Sequence, residues 1–191
     1  LRSARPQAPF LELVHRLYRD TSGFLLLATP RRALRHLHKL LREAGMTKRY
    51  HALLRGIWHG GERRVTAPLR KNVLQSGERV VKVEAEGKQS QTLFIPVQRW
   101  NAATLVEAVP FTGRTHQIRV HAAFLKQPIA GDEKYGDADF NRAMQEKGLR
   151  RLFLHASSLS FTTAAGRHIE AAAPLDPDLQ KMLAALGDVR S

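Results

Sequence analysis

At 191 residues and 43% hydrophobic content, the chain can bury one sizeable core, which excludes a disordered tail. It contains no cysteine, which excludes disulfides and thiolate chemistry and is compatible with a reducing cytoplasm. Lys and Arg total 31 against 17 Asp and Glu, a net charge of +14, so RNA or DNA is the leading partner class and anionic membrane surface the second. No apolar run approaches the ~20 residues of a membrane span. The opening LRSARPQAPF is not expected to act as a signal peptide, because no apolar segment follows its arginines.

In chain order, the polar stretch His15 to Ser22 meets Gly23 and then the apolar run Phe24 to Ala28, which reads as a loop pinned to a buried strand. Thr29 and Pro30 suit a helix start. Ala33, Leu34, Leu37, Leu40, Leu41 and Ala44 follow at helical spacing, with Gly45 as the stop. The other face of that helix carries Arg31, Arg32, Arg35, His36, Lys39 and Arg42, either a solvated face or an RNA-facing stripe. Lys48 to Gly56 reads as a strand and Gly60-Gly61 as a turn. Strands are expected over 79–85, 92–99 and 104–110, with a turn at Glu86-Gly87-Lys88. Phe111-Thr112-Gly113 stops the last of these. A helix then ends near Lys126, 127–132 is a loop, and Asp139 to Lys147 is a short helix before Gly148. A strand over 152–161 pairs with 168–173 across Ala165-Gly166. Asp176 and Pro177 open a last helix whose Leu179, Met182, Leu183 and Leu186 face the core. The fold class expected is α+β, with a mixed, mainly antiparallel sheet and flanking helices.

Nine histidines invite a metal, but His36 and His38 face apart on a helix and His116 and His121 are spaced i,i+5, so no metal site is expected. Glycine-rich nucleotide loops and a G-x-S-x-G elbow are absent as well. Other motifs do stand out. His15 to Gly23 reads HRL-x-R-x-TSG, Lys48 to Gly56 reads K-x-Y-x-A-x-x-x-G, and Pro110 to His121 reads PFTGRTHQIRVH. Gln127-Pro128-Ile129-Ala130-Gly131-Asp132 with Tyr135-Gly136, and Leu154-His155-Ala156, follow. The set resembles, in the same order, the motifs of the RNA pseudouridine synthases of the ribosomal large-subunit RluA/RluC group, most closely the RluC-like branch. Gln127 stands where that family usually has His.

The resemblance implies a single pseudouridine synthase catalytic domain over residues 1–191, without the N-terminal strands and small RNA-binding domain that precede the first motif in the family. It implies a cytoplasmic, monomeric isomerase of uridine in large-subunit ribosomal RNA, working by base flipping with no cofactor and no metal. By the same resemblance, Tyr50 stacks on the flipped base. Arg119 pairs with the catalytic carboxylate. His15, Arg16, Arg19 and Thr21 surround the catalytic position, while Arg114, His116, Gln117 and His121 shape the pocket and the phosphate path.

Position 18 departs from the pattern. The family has its catalytic aspartate there, as nucleophile or general base at the sugar, and this chain has Tyr18. A carboxylate with a pKa near ~3.9 is ionised at neutral pH, whereas a phenol near ~10 is not. Tyrosine also fills space meant for the sugar, and it is expected to leave Arg119 without its counter-ion. Asp20, two residues on, lies up to ~7 Å away along an extended chain, too far to substitute easily. Two functions are therefore expected: a pseudouridine synthase domain impaired at position 18, or a non-catalytic RNA-binding protein using the same groove. A generic basic module without a base pocket is a weaker third.

Overall fold

The computed structural model describes residues 7, 10–15, 17, 20–73 and 79–187. Its elements are β1 (Glu12–Leu13), β2 (Ser22–Gly23), β3 (Leu27–Ala28), α1 (Arg31–Arg42), β4 (Met46–Arg55), β5 (Arg63–Thr66), β6 (Leu69–Val73), β7 (Arg79–Val83), β8 (Gln91–Arg99), β9 (Ala103–Pro110), α2 (Gln117–Phe124), α3 (Ala138–Glu146), β10 (Leu154–Thr162), β11 (His168–Ala172) and α4 (Pro177–Ala184). The class is α+β, as expected. Six strands run antiparallel in the order β11-β10-β4-β9-β8-β5, and β2 joins β10 in parallel to make seven. β6 and β7 form a separate hairpin, and β1 pairs with β3.

β4 explains why the sheet holds. Ala52, Leu53 and Leu54 are consecutive and fully buried, so both faces of the sheet are covered at its centre. The main core joins these residues to Ile118 and Ala122 of α2, Phe140 and Met144 of α3, and Leu179 and Met182 of α4. Those apolar positions recur at helical spacing, which is why each segment folds as a helix with one face inward. Asp137 caps α3, its carboxylate accepting the Phe140 N–H at 2.8 Å. A second cluster sets Leu37 of α1 against Val14, Met46, Leu159 and Phe161.

Three expectations needed correction. The run Phe24 to Ala28 is not one buried strand. Gly23 and the Phe24 N–H still pair with β10, Leu25 is exposed, and only Leu27–Ala28 forms a strand, against β1. Phe24 and Leu26 meanwhile pack on the second cluster. At α1, Thr29 provides no cap, since Pro30 holds the N-cap position without a side-chain bond. Ala44, at φ 56°, takes the left-handed position that ends the helix, and Gly45 N–H closes the turn onto Leu40 O at 2.9 Å. β5 and β6 were not expected from the sequence. Each is short, charged and mostly exposed, with one buried side chain in Val65 and one in Leu69.

Candidate active site

The first motif is fastened to β10 through backbone and side chains together. Gly23 has φ 97°, and a Cβ there would lie 2.2 Å from Ala156 O, so only glycine allows β2 to approach β10 this closely. Next to it, Ser22 Oγ lies 2.9 Å from Nδ1 of the fully buried His155 and accepts from Arg151 Nη1 at 3.0 Å. Arg151 is held in turn by Asp176 at 2.6 Å and Asp178 at 3.1 Å. Farther back, His15 Nε2 accepts the Leu26 N–H at 3.3 Å, which ties down the start of the loop. Arg16, Tyr18 and Arg19 lie outside the described residues.

Tyr50 sits on β4 between Ala156 of β10 and Ala108 of β9. Cross-strand partners share a face, so two alanines leave room for the ring to project. Arg119 lies on the first turn of α2, and Asp132 grips it from the following loop. Nε donates to Oδ2 at 2.8 Å and Nη2 to Oδ1 at 2.6 Å. The Arg119 side chain is 13% exposed and the Asp132 side chain 1%. Burial alone would raise the Asp132 pKa. The Arg119 hydrogen bond and charge, with the N–H groups of Tyr135 and Lys134, outweigh it and hold the carboxyl below its usual range. For Arg119 burial works downward, and Asp132 outweighs it upward. The guanidinium also lies 5.0 Å from the centroid of the Tyr135 ring.

These elements enclose a cleft of about 380 Å³, a volume suited to a small ligand. Tyr50 and Arg119 line it together with His15, Leu17, Thr21, Lys48, Arg114 and His116. The expectation that Arg119 lacks a counter-ion is corrected: its partner is Asp132, thirteen residues on in the chain. The Gly131-Asp132 dipeptide is visible in the sequence, but nothing in its spacing says which cation it meets.

A family model described as RNA pseudouridylate synthase matches residues 2–124. The chain belongs to the RNA pseudouridylate synthase family. It is 54% identical over 193 residues to ribosomal large subunit pseudouridine synthase C of Escherichia coli K12, covering 100% of this chain and 60% of that protein. The namesake from Pasteurella multocida is 54% identical over 192 residues, covering 100% and 59%. The chain thus spans about 60% of the length of these relatives. Among solved structures, human RNA pseudouridylate synthase domain containing 1 superposes with a TM-score of 0.80 at 29% identity, covering 97% of this chain and 76% of that one. Human domain containing 4 gives 0.78 at 25%, covering 97% and 79%.

Within this pseudouridylate synthase domain, several residues expected to meet RNA have other work. His121 is fully buried: Nε2 lies 3.1 Å from Ala67 O and Nδ1 2.9 Å from Thr92 Oγ1. It is a core histidine and does not reach the cleft lining. Gln117 touches the cleft, but its amide is saturated. Oε1 accepts from Thr112 Oγ1 and the Arg114 N–H, and Nε2 donates to Gln91 O and Thr92 Oγ1. It shapes the 112–114 loop and has no hydrogen bond left for RNA. His116 is pushed down to about 4, first by burial and then by Arg119 and Lys134, against a smaller opposing effect of Asp132. It is therefore neutral at physiological pH, and Nδ1 is bonded to Tyr135 Oη at 2.8 Å. Arg114 is exposed at the rim, with Nε on Gln89 O at 3.2 Å. Thr21 Oγ1 is buried without a hydrogen-bond partner among the described residues. Among those residues no three His, Cys, Asp or Glu are grouped to hold a metal ion.

Proposed function

We propose that this domain binds large-subunit ribosomal RNA, takes a uridine out of its stack into the cleft, and isomerises it to pseudouridine when a carboxylate stands at position 18. The observation that carries this reading is that Tyr50 and Arg119, from two motifs far apart in sequence, line one cleft bordered by Leu17 and Thr21 of the first motif. Relatives named for large-subunit ribosomal RNA supply the substrate class. A base drawn out of its stack loses neighbours on both faces, and the Tyr50 ring replaces one at ~1–3 kcal/mol.

The isomerisation breaks the bond from uracil N1 to C1′, rotates the base and forms a bond from C5 to C1′. A group at position 18 assists at the sugar. A phenol with the ordinary pKa near ~10 serves poorly as nucleophile or base at neutral pH, so with Tyr18 in that place the chain is impaired. Arg119 need not be re-partnered. Asp132 occupies Nε and part of Nη2, and the guanidinium keeps further N–H donors for a carboxylate or a substrate oxygen.

The test is pseudouridine formation on a ribosomal RNA fragment by the Tyr18 protein and by Tyr18→Asp. The aspartate variant is expected to gain up to about 10⁴-fold in rate, the scale of a positioned base. Affinity for the fragment should stay the same, because stacking and phosphate contacts do not use that group. Equal, robust turnover by both proteins would remove position 18 from the chemistry. No turnover by either, with binding intact, would favour a non-catalytic RNA-binding role.

A further inference from the structure

Lys48 is a cleft residue with no assigned role. It precedes Tyr50 by two positions on β4, so the two side chains share a face about 7 Å apart along the strand. Leu41 and Pro110 line the cleft with it, and Gly113 leaves room beside the ammonium: a Cβ built there would stand 3.8 Å from Lys48 Nζ. Among the described residues the ammonium has no hydrogen bond and no ion pair, unlike Arg119 and Arg151. Burial lowers its pKa, and among the described residues no carboxylate offsets that. A half-buried cation without a partner costs free energy unless an anion arrives to complete it.

We infer that Lys48 is the anion receptor of the cleft and binds a backbone phosphate of the nucleotide whose base rests on Tyr50. This rests on the RNA reading proposed above and adds the group that holds the flipped nucleotide by its backbone. A phosphodiester suits the position. Its charge satisfies the ammonium where a neutral base carbonyl would not, and phosphate contacts set register without reading sequence.

The probe is a fluorescently labelled fragment of large-subunit ribosomal RNA with an unpaired uridine, titrated with the 191-residue chain between 50 and 200 mM KCl. Lys48→Met is expected to weaken binding about tenfold at the lowest salt, the scale of one charge-assisted hydrogen bond. It should also make the slope of log affinity against log salt shallower by about 0.7, one counter-ion's worth for a single strand. Lys48→Arg should keep the wild-type slope. The melting temperature of Lys48→Met should equal or exceed that of the wild type, because a poorly solvated charge has been removed. Lys48→Gln replaces it should the methionine variant melt early. Tight wild-type binding with an unchanged slope in both neutral variants would overturn the role of Lys48 and leave the RNA reading standing. Failure of the wild type to bind the fragment would overturn both.

Discussion

His116 shows how one side chain can answer to its surroundings more than to its motif. It lies in TGRTHQIRVH, where a histidine beside two arginines invites a phosphate contact. The fold instead gives it a left-handed backbone, at φ 53°, and sets it between Arg119 and Tyr135. Its pKa in the folded chain falls from the ordinary 6.5 to about 4. A base with a depressed folded pKa contributes stability that is complete above its unfolded pKa and is lost as pH falls toward the folded one. The window is therefore pH 6.5 down to about 4. The shift corresponds to about 3 kcal/mol at full strength, and solvent screening of a half-buried ring reduces it to about 1–2 kcal/mol. Urea unfolding at pH 7.5 and 4.5 measures it. His116→Asn, which tolerates the left-handed backbone, should show an acid loss smaller by about 1 kcal/mol. An identical acid loss in both proteins would mean that His116 is not held neutral. Asp132 adds to the acid loss at lower pH, because its depressed carboxyl stabilises the fold above the ordinary carboxylate pKa and ceases to as pH falls through the folded value. What the sequence conveyed at this scale was residue type and motif. Which histidine is core, which glutamine is saturated and which carboxylate grips Arg119 depend on contacts between segments, and no local pattern encodes them.

At the scale of elements, the parts with a strong period were legible and the parts defined by partners were not. α1, α2 and α4 were readable from apolar residues at helical spacing, α3 as a short segment stopped by Gly148, and β4, β7, β8, β9, β10 and β11 as strand-like stretches between turns. β2 is two residues long and exists because Gly23 lets it lie against β10. Since β2 carries the loop that borders the cleft, its attachment matters more to the site than its length suggests. Gly23→Ala would push a methyl into the Ala156 carbonyl at a φ that L side chains rarely adopt. The expected result is a loss of at least ~2 kcal/mol in unfolding free energy. Hydrogen exchange should also quicken at the Phe24 N–H, which bonds Ala156 O at 3.0 Å. Unchanged protection at Phe24 would show that β2 docks without needing glycine.

Across the whole molecule, the +14 charge can serve solubility alone or, under the function proposed above, RNA as well. α1 is where the two readings separate. Its apolar side packs on the second cluster, and Leu41 near its C-terminal end lines the cleft. Arg35, Lys39 and Arg42 are exposed and follow one another at i, i+4 and i+7, so they form a stripe leading along the helix toward that opening. A single strand entering the cleft past α1 would place successive phosphates near this stripe. Each cation that neutralises a phosphate releases counter-ions and adds about 0.7 to the salt slope. Replacing all three with glutamine should therefore flatten the slope by about 2. The fold should persist, because these side chains are solvated and surface substitutions of this kind usually change stability by less than about 0.5 kcal/mol. The measurement is the same titration from 50 to 200 mM KCl, with circular dichroism as the control for folding. A slope equal to that of the wild type would assign the α1 stripe to solubility and leave the proposed phosphate contacts to cations of the cleft itself, such as Arg114.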